Sequence, residues 1–461
     1  MSSITFTWVS SALLLLLAYI IHTYKSKSKH KPNPLPPGPK GLPVLGNLLM
    51  IGNFPHRDLH RLSIQYGPIF YMRLGFVPTI VVSTPQTAEL FLKTHDLTFA
   101  GRPFNSAAKY ISYQKNLTLA TKKVESFRSM RSTELGLLVT SLKHEATSGE
   151  IVNVSNRVLS LSTDMSCLMV FGNKSMKSDH DHKGFQDVVH EGLKLSAFFN
   201  IADYIPYIGW LDVQGLEKRM KAIIDEHVKV FDKDNQKDFV DVMLAFMQDK
   251  KADFSIDRSS IKAIVLALLK NPRVMKKLQE ELQRVIGLDR LVDESDLPNL
   301  EYLDMIIKES MRLYPVAPLL VPHEAMEDSI VNGFSIPKTS RIIINSWAIG
   351  QRFIENRIDL RENRIDLRGK DFQLLPFGSG RRGCPGIQLG LLAVRLIVAQ
   401  LAHCFDWELP NGILPDDLVM TEEFGLTMPR AKNLLAIPRY VFAIKLVKLV
   451  LAFVVIVLVL G

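Results

Sequence analysis

One cysteine in a loop of four glycines, with a long apolar run behind it, restricts this chain more than any other feature. The loop reads Phe377-Gly378-Ser379-Gly380-Arg381-Arg382-Gly383-Cys384-Pro385-Gly386. Residues 387–401 follow and are predominantly apolar, which reads as a buried helix. The glycines let the backbone turn, and come close to a bulky flat group, where a side chain would clash. The positive charge of Arg381 and Arg382 and the start of a helix both favour thiolate over thiol at Cys384.

A thiolate at the rim of an apolar pocket suits a haem iron as proximal ligand, and electron donation from that sulfur favours O–O cleavage. A glycine-rich loop around one structural cysteine is the plainer alternative. The segment resembles the haem-binding signature of cytochromes P450, Phe-x-x-Gly-x-Arg-x-Cys-x-Gly, with every fixed position filled. The resemblance implies haem b as cofactor, Cys384 as its axial iron ligand, Phe377 screening the sulfur and Arg382 meeting a propionate. Gly380 and Gly386 are the remaining fixed positions.

A second motif is Glu309-Ser310-Met311-Arg312, followed by Leu313-Tyr314-Pro315. Glu and Arg three apart share one helical face and can form a bidentate ion pair. By itself such a pair arises on any exposed helix. Ahead of a cysteine loop and before a helix-ending proline, it resembles the Glu-x-x-Arg helix of the same family. The resemblance implies that Glu309 and Arg312 support the haem site without bond chemistry, and that Arg352 is a third member of the cluster. His323 falls where many relatives place a basic residue on a propionate, although a lone histidine is commonly just a core or surface one.

The chain has 461 residues, 47% of them hydrophobic, which suffices for one large core. Three cysteines (Cys167, Cys384, Cys404) make no disulfide framework, in keeping with a body that faces the cytosol. A formal charge of +9 without a nucleic-acid motif points to an anionic membrane surface and an acidic redox partner rather than to nucleic acid.

Residues 4–21 are almost wholly apolar and just long enough to span a bilayer as a helix. No Lys or Arg precedes this run, and Lys25, Lys27, Lys29 and Lys31 follow it. Such flanks predict a signal anchor rather than a cleaved signal peptide, with the body cytosolic. Pro34, Pro36, Pro37 and Pro39 then make a stiff extended lead-in that resembles the hinge of microsomal P450s. The expected organisation is an anchor at 1–21, a basic and proline-rich linker at 22–40, a haem domain at 41–440 and an apolar tail at 441–461. That orientation keeps the sequons at Asn116, Asn153 and Asn173 out of the lumen.

Residues 69–74 and 79–82 read as a hairpin turning over Gly75-Phe76-Val77-Pro78. Helical patterning dominates to about residue 315, including 152–170 and 238–247. The aromatic stretch with Phe198, Phe199, Tyr204, Tyr207, Gly209 and Trp210 is core, membrane-facing surface or, by the resemblance, part of a substrate entrance. Residues 330–333 and 342–344 read as strands, with Asn332-Gly333 as a turn. Phe405-Asp406-Trp407-Glu408-Leu409 continues the family pattern. The wording is most similar to plant A-type microsomal P450s, from about residue 36 to about 438.

The chain also departs from that pattern. Residues 261–266 run almost straight into 267–272, with no Gly-x-Asp-Thr-like stretch between them. The family's oxygen-activating threonine is therefore expected to be absent, and no catalytic side chain is assigned. No Trp-x-x-x-Arg occurs between Tyr110 and Arg131, and its role is not transferred to Arg128 or Arg131. After Trp347-Ala348-Ile349-Gly350 an expected longer connection is missing, and residues 355–361 (ENRIDLR) recur unchanged as 362–368. Residues 449–460 are twelve uninterrupted apolar residues, short for a span.

The resulting expectation is a mainly α protein with small β-sheets, a P450 fold on an N-terminal anchor helix in the endoplasmic reticulum membrane. The resemblance implies a monooxygenase that takes NADPH electrons through a P450 reductase and oxidises a small apolar plant metabolite. Two alternatives stand beside it. One is a haem-thiolate isomerase or dehydratase that needs no reductase; the other is an inactive remnant or an incorrectly assembled gene.

Overall fold

The computed structural model describes residues 33–103, 125–171, 200–205, 207, 212, 214–219, 221–222, 258–355, 365–423 and 431–441. The expected anchor at 1–21, the helix at 238–247, Phe198, Phe199, Gly209, Trp210, most of the tandem repeat and the tail from 442 lie outside them.

The chain enters along the prolines. Pro37 accepts a hydrogen bond from the Tyr71 amide at 2.8 Å and Pro34 one from Ser335 at 2.9 Å. A Cβ at Gly38 would stand 1.7 Å from the Tyr71 carbonyl. Residues 33–40, read as linker, are thus laid onto the body. Helix α1 (Pro55–Tyr66) begins on a proline and stops at Gly67, whose φ is 105°. Strands β1 (Ile69–Leu74) and β2 (Val77–Val82) pair antiparallel. Their turn is shorter than the sequence suggested: Gly75 takes φ 60°, and Val77 already pairs with Leu74. Pro78 lies inside β2, and it is tolerated there because pairing with the neighbouring strand begins only at Thr79.

Helix α2 (Pro85–Glu89) starts in a Thr84/Thr87 capping box and runs into one π turn, Leu90–Thr94. Helix α3 (Arg128–Ser148) ends on Gly149 at φ 66°. The helix expected over 152–170 is divided into β3 (Val152–Asn153) and α4 (Val154–Phe171). A single turn, Ile201–Tyr204, precedes α5 (Arg258–Lys270), which breaks at Asn271 before α6 (Pro272–Ile286). A 3₁₀ turn (Glu294–Asn299) leads to α7 (Glu301–Leu313).

Strands β4 (His323–Glu324), β5 (Ser329–Val331), β6 (Phe334–Ile336) and β7 (Arg341–Ile344) come next. β5 and β6 close over Asn332 and Gly333, both at positive φ (50° and 79°), the turn the sequence signalled. Then follow α8 (Ser346–Glu355), the cysteine loop, α9 (Ile387–Cys404), β8 (Phe405–Glu408) and β9 (Leu435–Tyr440). The sheets have the orders β1-β2-β7-β4, β3-β9-β8 and β5-β6. Mostly helical content with small sheets agrees with the expected class.

α9 is the axle. Among the described residues it alone is long and apolar enough to cross a membrane, yet 78% of it is buried inside the protein, so it is a core helix. α3, α5, α6 and α7 pack against it, and α4 packs on α3 and α5. A second core lies under the four-stranded sheet, where Phe91, Phe99, Phe372 and Leu375 meet Ile342 and Ile344. α1 covers the sheet's other face through Leu59 and Leu62.

Candidate haem-thiolate site

The cysteine loop is wound tightly before α9. Gly378 and Gly380 have φ of 69° and 70°, a region costly for other residues. Gly380–Arg382 form a 3₁₀ turn, the Cys384 amide donates to the Phe377 carbonyl at 2.8 Å, and Gly390 donates back to Gly386 at 2.8 Å to start the helix. The close approach at Gly380 is to protein: a Cβ there would lie 2.1 Å from the Leu92 carbonyl. Phe377 packs partly buried against the main core.

Cys384 is exposed, whereas Cys167 and Cys404 are buried. Burial pushes the Cys404 thiol up to about 12, although Gln400 donates to its sulfur. A buried neutral thiol of that kind packs and does not react. Among the described residues no three His, Cys, Asp or Glu side chains gather as a metal-ion set.

Basic groups converge beside the loop. Arg382 donates from Nε to the Ala100 carbonyl at 2.8 Å. Arg102, which no sequence motif singled out, donates from Nη1 to the carbonyls of Val321 (2.7 Å) and Pro322 (2.9 Å). Burial, and then the Arg382 charge, lowers its guanidinium to about 10. His323 is buried on β4 with Nδ1 2.9 Å from the Phe99 carbonyl. Burial first and the Arg102 charge second lower its imidazole to about 4, so it is neutral at pH 7 and Nδ1–H is the donor to Phe99. Among the described residues no carboxylate ion-pairs with Arg102 or Arg382. Two guanidiniums and an imidazole on the same side as an exposed thiol fit a flat cofactor that carries carboxylates.

Behind the loop, Glu309 and Arg312 make the bidentate pair the sequence suggested. Nε and Nη2 of Arg312 donate to the two carboxylate oxygens at 2.7 and 2.6 Å, and Nη1 reaches the Gly350 carbonyl at 3.1 Å. Arg312 is 4% exposed. Arg352 lies on α8 two residues beyond Gly350, and its side chain is outside the described residues.

Arg128 and Arg131 are engaged elsewhere. Arg131, wholly buried, holds Glu294 bidentately at 2.7 and 3.0 Å, and Arg128 pairs with Asp293. α5 packs against α4, α7 and α9 with Ile261, Ile264 and Leu266 at 0% exposure, and its thirteen residues include neither an acid nor a threonine.

The family model for Cytochrome P450 matches residues 36–135, 114–261 and 257–436. The matched segments overlap at 114–135 and 257–261. The chain is 46% identical to "Cytochrome P450 CYP736A12" of Panax ginseng, with 90% of this chain and 94% of that one covered. That alignment runs over 481 positions, more than this chain has residues, so the ginseng protein carries segments without a counterpart here. Identity to "Cytochrome P450 71A1" of Persea americana is 37%, covering 83% and 89%. Identity to "Flavonoid 3'-monooxygenase CYP75B137" of Crocosmia x crocosmiiflora is 35%, covering 94% and 97%.

Proposed function

The chain belongs to the cytochrome P450 family of haem monooxygenases, and on that premise we propose that Cys384 is the proximal iron ligand of a haem-thiolate enzyme acting on a small apolar plant metabolite. The observation that carries this reading is the exposed Cys384 beside Arg102, Arg382 and His323, with no carboxylate ion-paired to either arginine among the described residues.

Arg102 and Arg382 would receive the carboxylates of haem b, and neutral His323 would offer Nε2 as acceptor or, once protonated by the incoming charge, as donor. Phe377 would screen the sulfur once the haem is bound. The Cys384 amide, tied to the Phe377 carbonyl, fixes the loop that presents the thiolate. Glu309 and Arg312 anchor α7 to α8 behind it and touch no reacting atom. When bound, the haem supplies oxygen activation and transfer of one oxygen atom.

Electrons are proposed to come from NADPH through a P450 reductase, drawn to a chain of formal charge +9. Residues 4–21 are proposed to anchor the body on the cytosolic side of the endoplasmic reticulum membrane. Relatives named as flavonoid 3'-monooxygenases favour an aromatic secondary metabolite as substrate.

The test is the carbon-monoxide difference spectrum of the reduced full chain beside a Cys384→Ala control. A thiolate-type Soret band, lost in the control, is expected; a band typical of a neutral ligand in both proteins overturns the assignment. The acid-free, threonine-free α5 favours one second reading, rearrangement or dehydration of an already oxygenated substrate. Turnover without NADPH and reductase distinguishes the two.

A further inference from the structure

The loop that carries Cys384 rests on a part of the chain without any motif. The π turn Leu90–Thr94 holds one residue more than an α turn. The Leu92 carbonyl fills the space where a side chain at Gly380 would begin. Asp96 takes the next loop residue, Arg381, through an ion pair of 2.7 Å. The one after, Arg382, is held twice: its Nε by the Ala100 carbonyl at 2.8 Å, its own carbonyl by Arg102 Nη2 at 3.4 Å. Three consecutive loop residues are therefore gripped by positions 92, 96 and 100–102. Below them Phe91 and Phe99, with ring centroids 4.7 Å apart, share one core with Phe372 and Leu375 from the run into the loop. Lys93 adds its ammonium 5.9 Å from the Phe372 ring.

We propose that the segment Leu90–Arg102 is the seat that positions the Cys384 loop, with the Leu92 carbonyl and Asp96 as its positioning groups. Its bearing on the haem rests on the assignment of Cys384 above, but the contacts that make the seat all lie within the protein. Glycine at 380 is then demanded twice over, by its φ and by the Leu92 carbonyl.

Hydrogen exchange of the peptide covering 377–386 in the detergent-solubilised, haem-free full chain tests this directly. Gly380→Ala is expected to speed exchange there about tenfold or more while α9 beyond residue 390 keeps its protection. Gly380→Asn should do no better, because asparagine accepts positive φ but still strikes Leu92. Recovery of protection in Gly380→Asn, or none lost in Gly380→Ala, overturns the seat.

Asp96→Ala guards against a variant that merely fails to fold, since the site is on the surface. It should raise exchange about two- to threefold, and the charge swap Asp96→Arg with Arg381→Asp should restore it. Failure of the swap to restore protection counts against Asp96 as a positioning residue. In haem-loaded protein the same variants should lower the thiolate-type fraction of the carbon-monoxide band. Loss of that band in wild type and Cys384→Ala alike would reject the haem assignment, and leaves the exchange result on the seat standing.

Discussion

Arg102 donates a hydrogen bond from Nη2 to the backbone carbonyl of Arg382 at 3.4 Å, so two like-charged residues are held side by side at the rim of the cysteine loop. Folding tolerates this because Arg102 has two more carbonyl acceptors, at Val321 and Pro322. Burial, and then the Arg382 charge, lowers the Arg102 guanidinium, and an anion received between the two would relieve this.

Arg102→Gln is therefore expected to weaken haem retention about tenfold, the scale of one charge-assisted hydrogen bond. Haem content after dialysis and the rate of haem transfer to a scavenging protein measure it. Retention equal to wild type would remove Arg102 from the cofactor site.

His323 sets a pH dependence. Its imidazole lies at about 4 in the folded chain against 6.5 for the free side chain, so between these values the unfolded chain binds the extra proton. Stability is present above the unfolded value and is lost as pH falls towards the folded one. From pH 7 to pH 5 the haem-free chain should lose about 2 kcal/mol through this residue. Urea unfolding at the two pH values, with His323→Gln as the flat reference, checks the sign and the size.

Two neighbouring ion pairs tie α3 to the turn before α7, and burial separates their worth. Glu294→Gln takes the carboxylate charge away from the wholly buried Arg131 and should cost about 3 kcal/mol or more. Asp293→Asn leaves a half-exposed Arg128 and should cost about 1 kcal/mol or less through the ion pair itself. Urea midpoints of the two variants, compared at constant slope, give the contrast.

Arg312→Lys keeps the charge and loses the fork. Lysine cannot span both Glu309 oxygens and also reach the Gly350 carbonyl, so the variant should be destabilised by about 2–3 kcal/mol, with the thiolate-type band reduced only in proportion to the folded fraction. A band lost from fully folded protein would give Arg312 a part beyond support.

Local chemistry was legible in the chain. The Phe377–Gly386 motif, the Glu309–Arg312 spacing and the Asn332-Gly333 turn depend on residues close together in sequence, whose backbone conformations and helical faces follow from residue type. Where a read element came out differently, a distant partner decided. Val152–Asn153 left the helical pattern because β9 pairs with it, and Pro78 entered β2 because β7 does not reach that far.

The tertiary structure alone chose Arg102 and the Leu90–Arg102 seat. Arg102 meets Pro322 and Arg382 from 220 and 280 residues away, and a single arginine before a proline has no pattern that announces such partners. The glycine at 380 was visible from the start, but its neighbour Leu92 was not, because sequence determines what a backbone can do locally and only packing determines what it must avoid.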